Sequence, residues 1–252
     1  MNLAVVGGMD PTGGAGVLRD AWTIARIDPD ARFQCVVTAL TSQGRGVSSA
    51  SSSPVASAVL ATSLSRLVRP RVVKLGLVPA TVASTVATWL RDAAGGPVVL
   101  DPVGQATDGG SLGASADGYM ECCGADTVLT PNLLEARWLL GDTAEPSAMA
   151  AALAERTGAA AVLVKGGHAP SGVEVSDVLW ERGVVRRFTR PRVEGPDIRG
   201  TGCALASAIA VHLSRRASVA DAVAAAIAWL DSMRAAARPG MDGRHHLPAR
   251  ES

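Results

Sequence analysis

Aromatic side chains are scarce in this sequence: Phe, Trp and Tyr together make up 3% of 252 residues, with a single tyrosine. Any core must therefore be assembled from Ala, Val and Leu. The chain also lacks an excess of either charge. Lys and Arg number 24 against 23 Asp and Glu, a formal net charge of +1, and no basic block lies outside the C-terminal tail. That balance gives no support to nucleic-acid or membrane-surface binding. No apolar stretch is long enough and free enough of charge to span a bilayer, and "MNLAVVGGMD" has no basic flank or cleavage-like site, so it reads as a first strand and not a signal peptide. Cysteines occur only at 35, 122, 123 and 203, without a CxxC, and the adjacent pair has no metal-ligand spacing. Reduced thiols and a cytoplasmic location follow as the expectation. His168, His212, His245 and His246 are too scattered to argue a metal site. There is no GxxxxGK[ST], which excludes P-loop architecture, and no internal repeat or interdomain linker.

What the chain does have is 48% hydrophobic residues against 19% charged, enough for a substantial core. Short Val/Leu runs alternate with helical segments. "LAVVG" (3–7) precedes a helix from about Gly14 to Ile27, and "CVVTAL" (35–40) leads into a Gly- and Ser-rich loop before helical periodicity over 54–68. "VVKLG" (72–76) precedes a helix over 80–93; "PVVLD" (97–101), "DTVLT" (126–130, with a helix from Asn132) and "AAVLVKGG" (160–167) continue the pattern. Near-continuous apolar strands separated by helices predict a parallel sheet covered on both faces, a three-layer α/β/α fold. "SDVLWERGVVRRFTRP" (176–191) alternates around Arg182-Gly183 and predicts a hairpin. Helices over 203–213 and 218–236 close the fold, the second opened by Ser218 with Asp221 three residues on. The whole of 1–252 reads as one domain, with 239–252 a flexible, Pro/Gly-punctuated tail.

In open parallel sheets, ligands bind beyond the carboxyl ends of the strands. The sequence places there "GGMDPTGGAG", "TSQGRG", "GLVP", "DPVGQATDGG", "TPNLLE", "KGGH" and, after the hairpin, "RGTGC". Glycines, carboxylates and one lysine converge on one rim, which suits polyphosphate and a metal ion. In "DIRGTGCALASAIA" (197–210), Gly200 and Gly202 bracket Thr201 in a tight turn into a buried helix, whose first N–H groups and dipole suit an anion. On residues alone, Cys203 reads either as a small buried hydrophobe or as a functional thiol. Lys165 reads either as a snorkelling lysine or as a phosphate contact, and Glu135 either as a partner of the helix dipole or as a metal ligand.

The order of "GGMDPTGGAG" with Asp20 downstream, "TALTSQGRGV", "KLGL", "VVLDPV", "LTPNLLEA", "VLVKGGH" and "RGTGCALASAIA" resembles that of the hydroxymethylpyrimidine/phosphomethylpyrimidine kinases, thiamine-pathway members of the ribokinase-like superfamily. The likeness spans roughly residues 3 to 213, with a weaker echo at "GMDGRHH". It implies ATP-dependent phosphorylation, with Mg²⁺, of 4-amino-5-hydroxymethyl-2-methylpyrimidine or its monophosphate. Gly200, Thr201, Gly202 and Cys203 are implied as the anion hole, with Cys203 as base and its pKa lowered at the helix start. Lys165, Asn132, Gly200 and Gly202 are implied at the ATP phosphates, Asp101 and Glu135 at the metal, and Gly8, Asp20, Gln43 and Leu77 at the pyrimidine, Leu77 standing where the family usually has Met. A small-molecule substrate, no nucleic-acid or membrane partner, and a homodimer complete the expectation.

The chain departs from the family pattern at four places. "SQGRG" is one residue shorter than the usual glutamine loop. Thr107 stands near the place of a customary lysine, Arg199 replaces the usual His, and "VEGPDI" is unlike the Thr/Asn-rich run at the nucleotide. Two alternatives remain open: a pyridoxal or pyridoxine kinase, and a catalytically weak pyrimidine-phosphate sensor.

Overall fold

The computed structural model describes residues 2–42, 50–104, 110–168, 173–193, 195–240 and 243–248. Strand β1 (Asn2–Met9) leads through a glycine-rich loop to α1 (Gly16–Ile27), followed by β2 (Arg32–Ser42), β3 (Ser51–Pro54), α2 (Ser57–Ser65) and β4 (Val72–Leu75). A 3₁₀ turn (Ala80–Val82) continues as α3 (Ala83–Ala93), and β5 (Val98–Leu100), α4 (Ala116–Glu121), β6 (Thr127–Leu129), α5 (Leu133–Leu140), α6 (Pro146–Thr157) and β7 (Ala161–Val164) follow. The hairpin β8 (Glu174–Glu181) and β9 (Val184–Pro191) precedes β10 (Ile198–Arg199), α7 (Thr201–Ser214) and α8 (Val219–Arg234), with β11 (Arg238–Pro239) and β12 (His245–His246) at the end.

The main sheet has nine strands in the order β3-β2-β1-β4-β5-β6-β7-β8-β9. From β2 to β7 the pairings are parallel, and both edges are antiparallel. Side chains on a strand alternate between faces, and here both faces are apolar. Ala4, Val6, Val98, Leu100, Val162 and Val164 pack on the side of α2 to α6; Leu3, Val5, Val99, Ala161 and Leu163 pack on the side of α1, α7 and α8. Small side chains do much of this work. α7 buries Ala204, Ala206, Ala208 and Ala210, and α8 buries Ala222 and Ala226, which lets helices approach closely in a core short of aromatics.

The expected hairpin is present, and its two turn residues Arg182 (φ 48°) and Gly183 (φ 87°) both lie in the left-handed region that a type I′ turn requires. One expectation needs correction. The helix read over 54–68 is shorter, because Ser51–Pro54 pairs antiparallel with β2 as a polar edge strand and the helix starts only at Ser57. The short α4 and the Ala-rich α6 are additional helices for which the sequence reading made no assignment. Within the tail, β12 pairs with β10 and β11, and Leu247 is buried in the core.

Candidate active site

The carboxyl ends of the parallel strands open into a cleft of about 860 Å³, lined from Gly8 and Asp10 at the end of β1 to Lys165 after β7 and Leu230 on α8. At its centre α7 begins. Gly200 caps the helix with φ 77°, and a β-carbon there would collide with the Gly14 carbonyl oxygen, so both conformation and space demand glycine. The loop after β1 and the turn before α7 are thereby pressed together. Gly202 has a different reason. A β-carbon at that position would lie 3.4 Å from Lys165 Nζ and 3.5 Å from Asp101 Oδ2. The missing side chain leaves a small cradle bounded by a helix N-terminus, an ammonium group and a carboxylate.

Lys165 and Asp101 form an ion pair at 2.7 Å, and Glu135 Oε2 lies 3.9 Å from the same ammonium group. Strand geometry creates this cluster. Asp101 and Lys165 are the residues immediately after β5 and β7, and Asn132 bridges to Lys165 beside the start of α5. Asn132 and Glu135 close a capping box: the Asn132 side chain accepts from the Glu135 N–H at 2.9 Å, and Glu135 accepts from the Asn132 N–H at 2.7 Å. Burial works against the Lys165 charge, but Asp101 and Glu135 outweigh it and hold the ammonium group protonated. Burial pushes the Glu135 carboxyl up to about 7 despite Lys165, so this corner of the cleft is short of positive charge.

Asp20 also lines the cleft. It has no exposed surface, its Oδ2 receives Lys74 Nζ at 2.8 Å and its Oδ1 receives Ser207 Oγ at 2.8 Å. The carboxylate ties α1, β4 and α7 together at the wall of the cleft, with both its oxygens engaged by protein side chains. Burial raises the pKa of the Asp20 carboxyl, with Lys74 opposing that rise, and at Lys74 the pull of Asp20 outweighs burial and raises the ammonium pKa. The expected lowering of the Cys203 pKa needs correction. Its thiol is not activated by the helix start: burial, with Asp20 and Asp101 adding to it, pushes the pKa up to about 11 against the opposing pull of Lys74. At neutral pH the group is a thiol.

Gly8, Asp20, Leu77, Asp101, Asn132, Glu135, Lys165, Gly200, Thr201, Gly202 and Cys203 all line the cleft. Leu77 lies against Gly8, where an added β-carbon would stand 2.8 Å from Leu77 Cδ2. Gln43 and Thr107 fall outside the described residues.

Several residues escaped the reading of the sequence. Asp10 is buried and receives Arg199 Nη2 at 2.7 Å and the Thr12 hydroxyl at 2.9 Å, so Arg199 pins the loop after β1 to the turn before α7. The signal was the replacement of His by Arg at 199, but nothing in sequence separation links it to Asp10. Asp177 on β8 accepts from the Gly166 N–H at 2.7 Å and pairs with Arg190 at 2.8 Å, fixing the loop after Lys165. Lys74 was visible as a lone charge inside an apolar strand, a placement that demands a buried partner. Among the described residues, no helix is long and apolar enough to cross a membrane. No group of three or more His, Cys, Asp or Glu side chains gathers as a metal cluster, again among the described residues.

A sheet of this order, sandwiched by helices and carrying its cleft at the strand ends, is the ribokinase-like fold. A pyridoxal kinase from Staphylococcus aureus in complex with ADP is similar with a TM-score of 0.87, at 21% identity, over 98% of this chain and 93% of that one. A phosphomethylpyrimidine kinase from Clostridium difficile is similar with a TM-score of 0.75, also at 21% identity, over 92% of this chain and 98% of that one. At such identity these likenesses speak to the fold. Sequence goes further. The family model described as phosphomethylpyrimidine kinase matches residues 10–248. The hydroxymethylpyrimidine/phosphomethylpyrimidine kinase of Rhizobium meliloti (strain 1021) is 37% identical over 245 residues, 92% of this chain and 90% of that protein. The chain belongs to the phosphomethylpyrimidine kinase family.

Proposed function

We propose that this chain transfers the γ-phosphoryl group of ATP to 4-amino-5-hydroxymethyl-2-methylpyrimidine and then to its monophosphate, supplying the diphosphate for thiamine biosynthesis. Beside family membership, the observation that carries this reading is the Gly202 cradle, where a helix N-terminus, Lys165 and Asp101 surround a space kept clear of side chains. Charge on a migrating phosphoryl group spreads over its equatorial oxygens. Oriented N–H groups and an ammonium group at that point stabilise it without reorganising. In the first transfer the hydroxymethyl oxygen bonds to the γ-phosphorus, the bond from that phosphorus to the β,γ-bridging oxygen breaks, and ADP and the hydroxyl proton depart. In the second, the nucleophile is already a phosphate oxygen, so positioning dominates.

Mg²⁺ fits the residues present. Two carboxylates, Asp101 and Glu135, flank the cradle, and burial makes Glu135 a carboxyl that lacks counter-charge. A hard cation held by one or two carboxylates together with phosphate oxygens suits such a corner, and it would neutralise phosphate charge there. Glu135→Gln is an informative variant, because glutamine preserves the capping box and removes only the charge. The Mg²⁺ concentration giving half-maximal rate should rise several-fold while thermal stability stays near that of the parent. An unchanged Mg²⁺ titration would remove Glu135 from the metal site.

Leu77 and Gly8 are assigned to the pyrimidine face, with Gln43 as its hydrogen-bonding partner. Asp20, which lines the cleft with them while held by Lys74 and Ser207, is assigned a supporting role at the same end. Cys203 is assigned as a neutral thiol at the reacting hydroxyl, in place of a thiolate base. A base with a pKa of about 11 would make kcat/KM for the pyrimidine climb nearly tenfold per pH unit from neutrality upward. The expected profile, measured at saturating ATP, is flat between about pH 7 and pH 9 and is shared by the parent and Cys203→Ala. A slope of one that disappears in Cys203→Ala would restore the thiolate.

Mass spectrometry of the products tests the whole reading. With ATP, Mg²⁺ and hydroxymethylpyrimidine, species carrying one and two added phosphoryl groups should accumulate; consumption of ATP without either would refute it. A cytoplasmic homodimer belongs to the same proposal, and light scattering should give twice the 25.6 kDa chain mass.

A further inference from the structure

The chain's single tyrosine sits far from the motif residues in sequence, on the short helix α4, yet it is buried directly beneath the rim. Its hydroxyl accepts from the N–H groups of Val78 and Val103, each at 3.1 Å, and lies 3.2 Å from the carbonyl oxygens of Gly76 and Val103. A phenol has two acceptor lone pairs and one proton. Both lone pairs are used, and the proton is directed to one of the two carbonyls. The ring is held edge-on by Trp138 at 6.0 Å, and Trp138 in turn covers Gly104.

These backbone groups belong to two segments, the one after β4 that carries Leu77 and the one after β5 that carries Val103, and both side chains line the cleft. Leu77 and Val103 also pack in one small apolar cluster with Ala39 and Leu112. The strand order puts this wall on the β1 side of the Lys165–Asp101 pair, whereas Asp177, Arg190 and Leu230, from β8, β9 and α8, line the opposite end. We infer that Tyr119 is a positioning residue for acceptor specificity: its hydroxyl locks the segments after β4 and β5 into a single wall against which the acceptor ring rests. The part of this inference that names the acceptor's end of the cleft rests on the pyrimidine kinase reading; the lock itself does not.

Tyr119→Phe keeps the ring and its contact with Trp138 but leaves two buried N–H groups without an acceptor. Loss of such partners is expected to raise the KM for hydroxymethylpyrimidine on the order of tenfold, with the KM for ATP within about twofold of the parent value. Amide hydrogen exchange should accelerate at Val78 and Val103 and not along α7. Val86→Ala, a core truncation on α3 away from the cleft, controls for simple destabilisation and should move neither KM. The inference is overturned if exchange at Val78 and Val103 is unchanged in Tyr119→Phe. It is equally overturned if both KM values rise together, or if Val86→Ala reproduces the acceptor effect. Should the parent phosphorylate no pyrimidine, the functional reading fails, and the exchange rates at the two valines still decide whether the lock exists.

Discussion

Lys165→Met is expected to lower turnover by roughly 10²–10³-fold, the range seen when one preorganised stabilising group is removed from a reacting centre. ATP affinity should weaken much less. Lys165 stands beside the Gly202 cradle and is 2.7 Å from Asp101, where phosphoryl charge would concentrate during transfer rather than in the bound nucleotide. An interaction stronger in the transition state than in the ground state shows itself in kcat. Methionine has similar length and no charge, so packing in the apolar strand end is retained. Calorimetric ATP binding measured beside single-turnover rates separates the two quantities. Equal losses in binding and turnover would make Lys165 an anchor for ground-state phosphate only.

The second large effect concerns stability. Lys74→Met strands the Asp20 carboxylate in a site with no solvent exposure, where Ser207 is its only remaining partner of the two it has in the parent. Breaking a buried pair on one side costs about 3–5 kcal/mol, which for a chain of this size corresponds to a fall in Tm of roughly 6–20 °C. The double variant Lys74→Met/Asp20→Asn should recover most of that loss, because a neutral amide can still meet Ser207 without an unpaired charge. The pH dependence has a definite sign. Burial already raises the folded-state pKa of Asp20 in the parent, and removing Lys74, which opposes that rise, would raise it further, so the folded variant holds the proton to higher pH. The deficit is therefore smallest near the ordinary carboxylate range, about pH 4, and grows as pH rises through the folded-state pKa. Chemical denaturation of the three proteins at two pH values reads all of this. A loss under about 1 kcal/mol in the single variant would mean that the pair is not the structural tie drawn here.

These two lysines also show what a sequence discloses and what it withholds. The alternation of Val/Leu runs with helices made the parallel sheet legible, and the Arg182-Gly183 pair marked its hairpin. Strand ends predicted that Asp101, Lys165 and the glycine turn would share one rim, because in parallel sheets the carboxyl ends all face the same way. Lys165 could be placed for that reason. Lys74, one residue from the end of β4, points into the core toward α1 and α7, and its partner Asp20 is 54 residues away. Only packing brings them together. The same holds for Arg199 with Asp10 and for Tyr119 with the segments after β4 and β5, whose contacts run through backbone groups that carry no sequence signature. Cys203 failed differently. The helix N-terminus argued for a lowered pKa, but the competing cost of burial could not be weighed until its surroundings were known, and burial won. The edge strand Ser51–Pro54 was hidden by its polarity, since three serines and a proline have turn composition whether or not they pair.

The most direct test of the kinase reading is the initial rate of ADP release at saturating ATP and Mg²⁺, compared among hydroxymethylpyrimidine, its monophosphate and pyridoxal. ADP release should depend on added pyrimidine, with kcat/KM for hydroxymethylpyrimidine or its monophosphate exceeding that for pyridoxal. Preference for pyridoxal would assign the cleft to the vitamin B6 aldehyde instead, and ADP release no faster with any acceptor than without, in a protein that still binds pyrimidine phosphate, would contradict a kinase altogether.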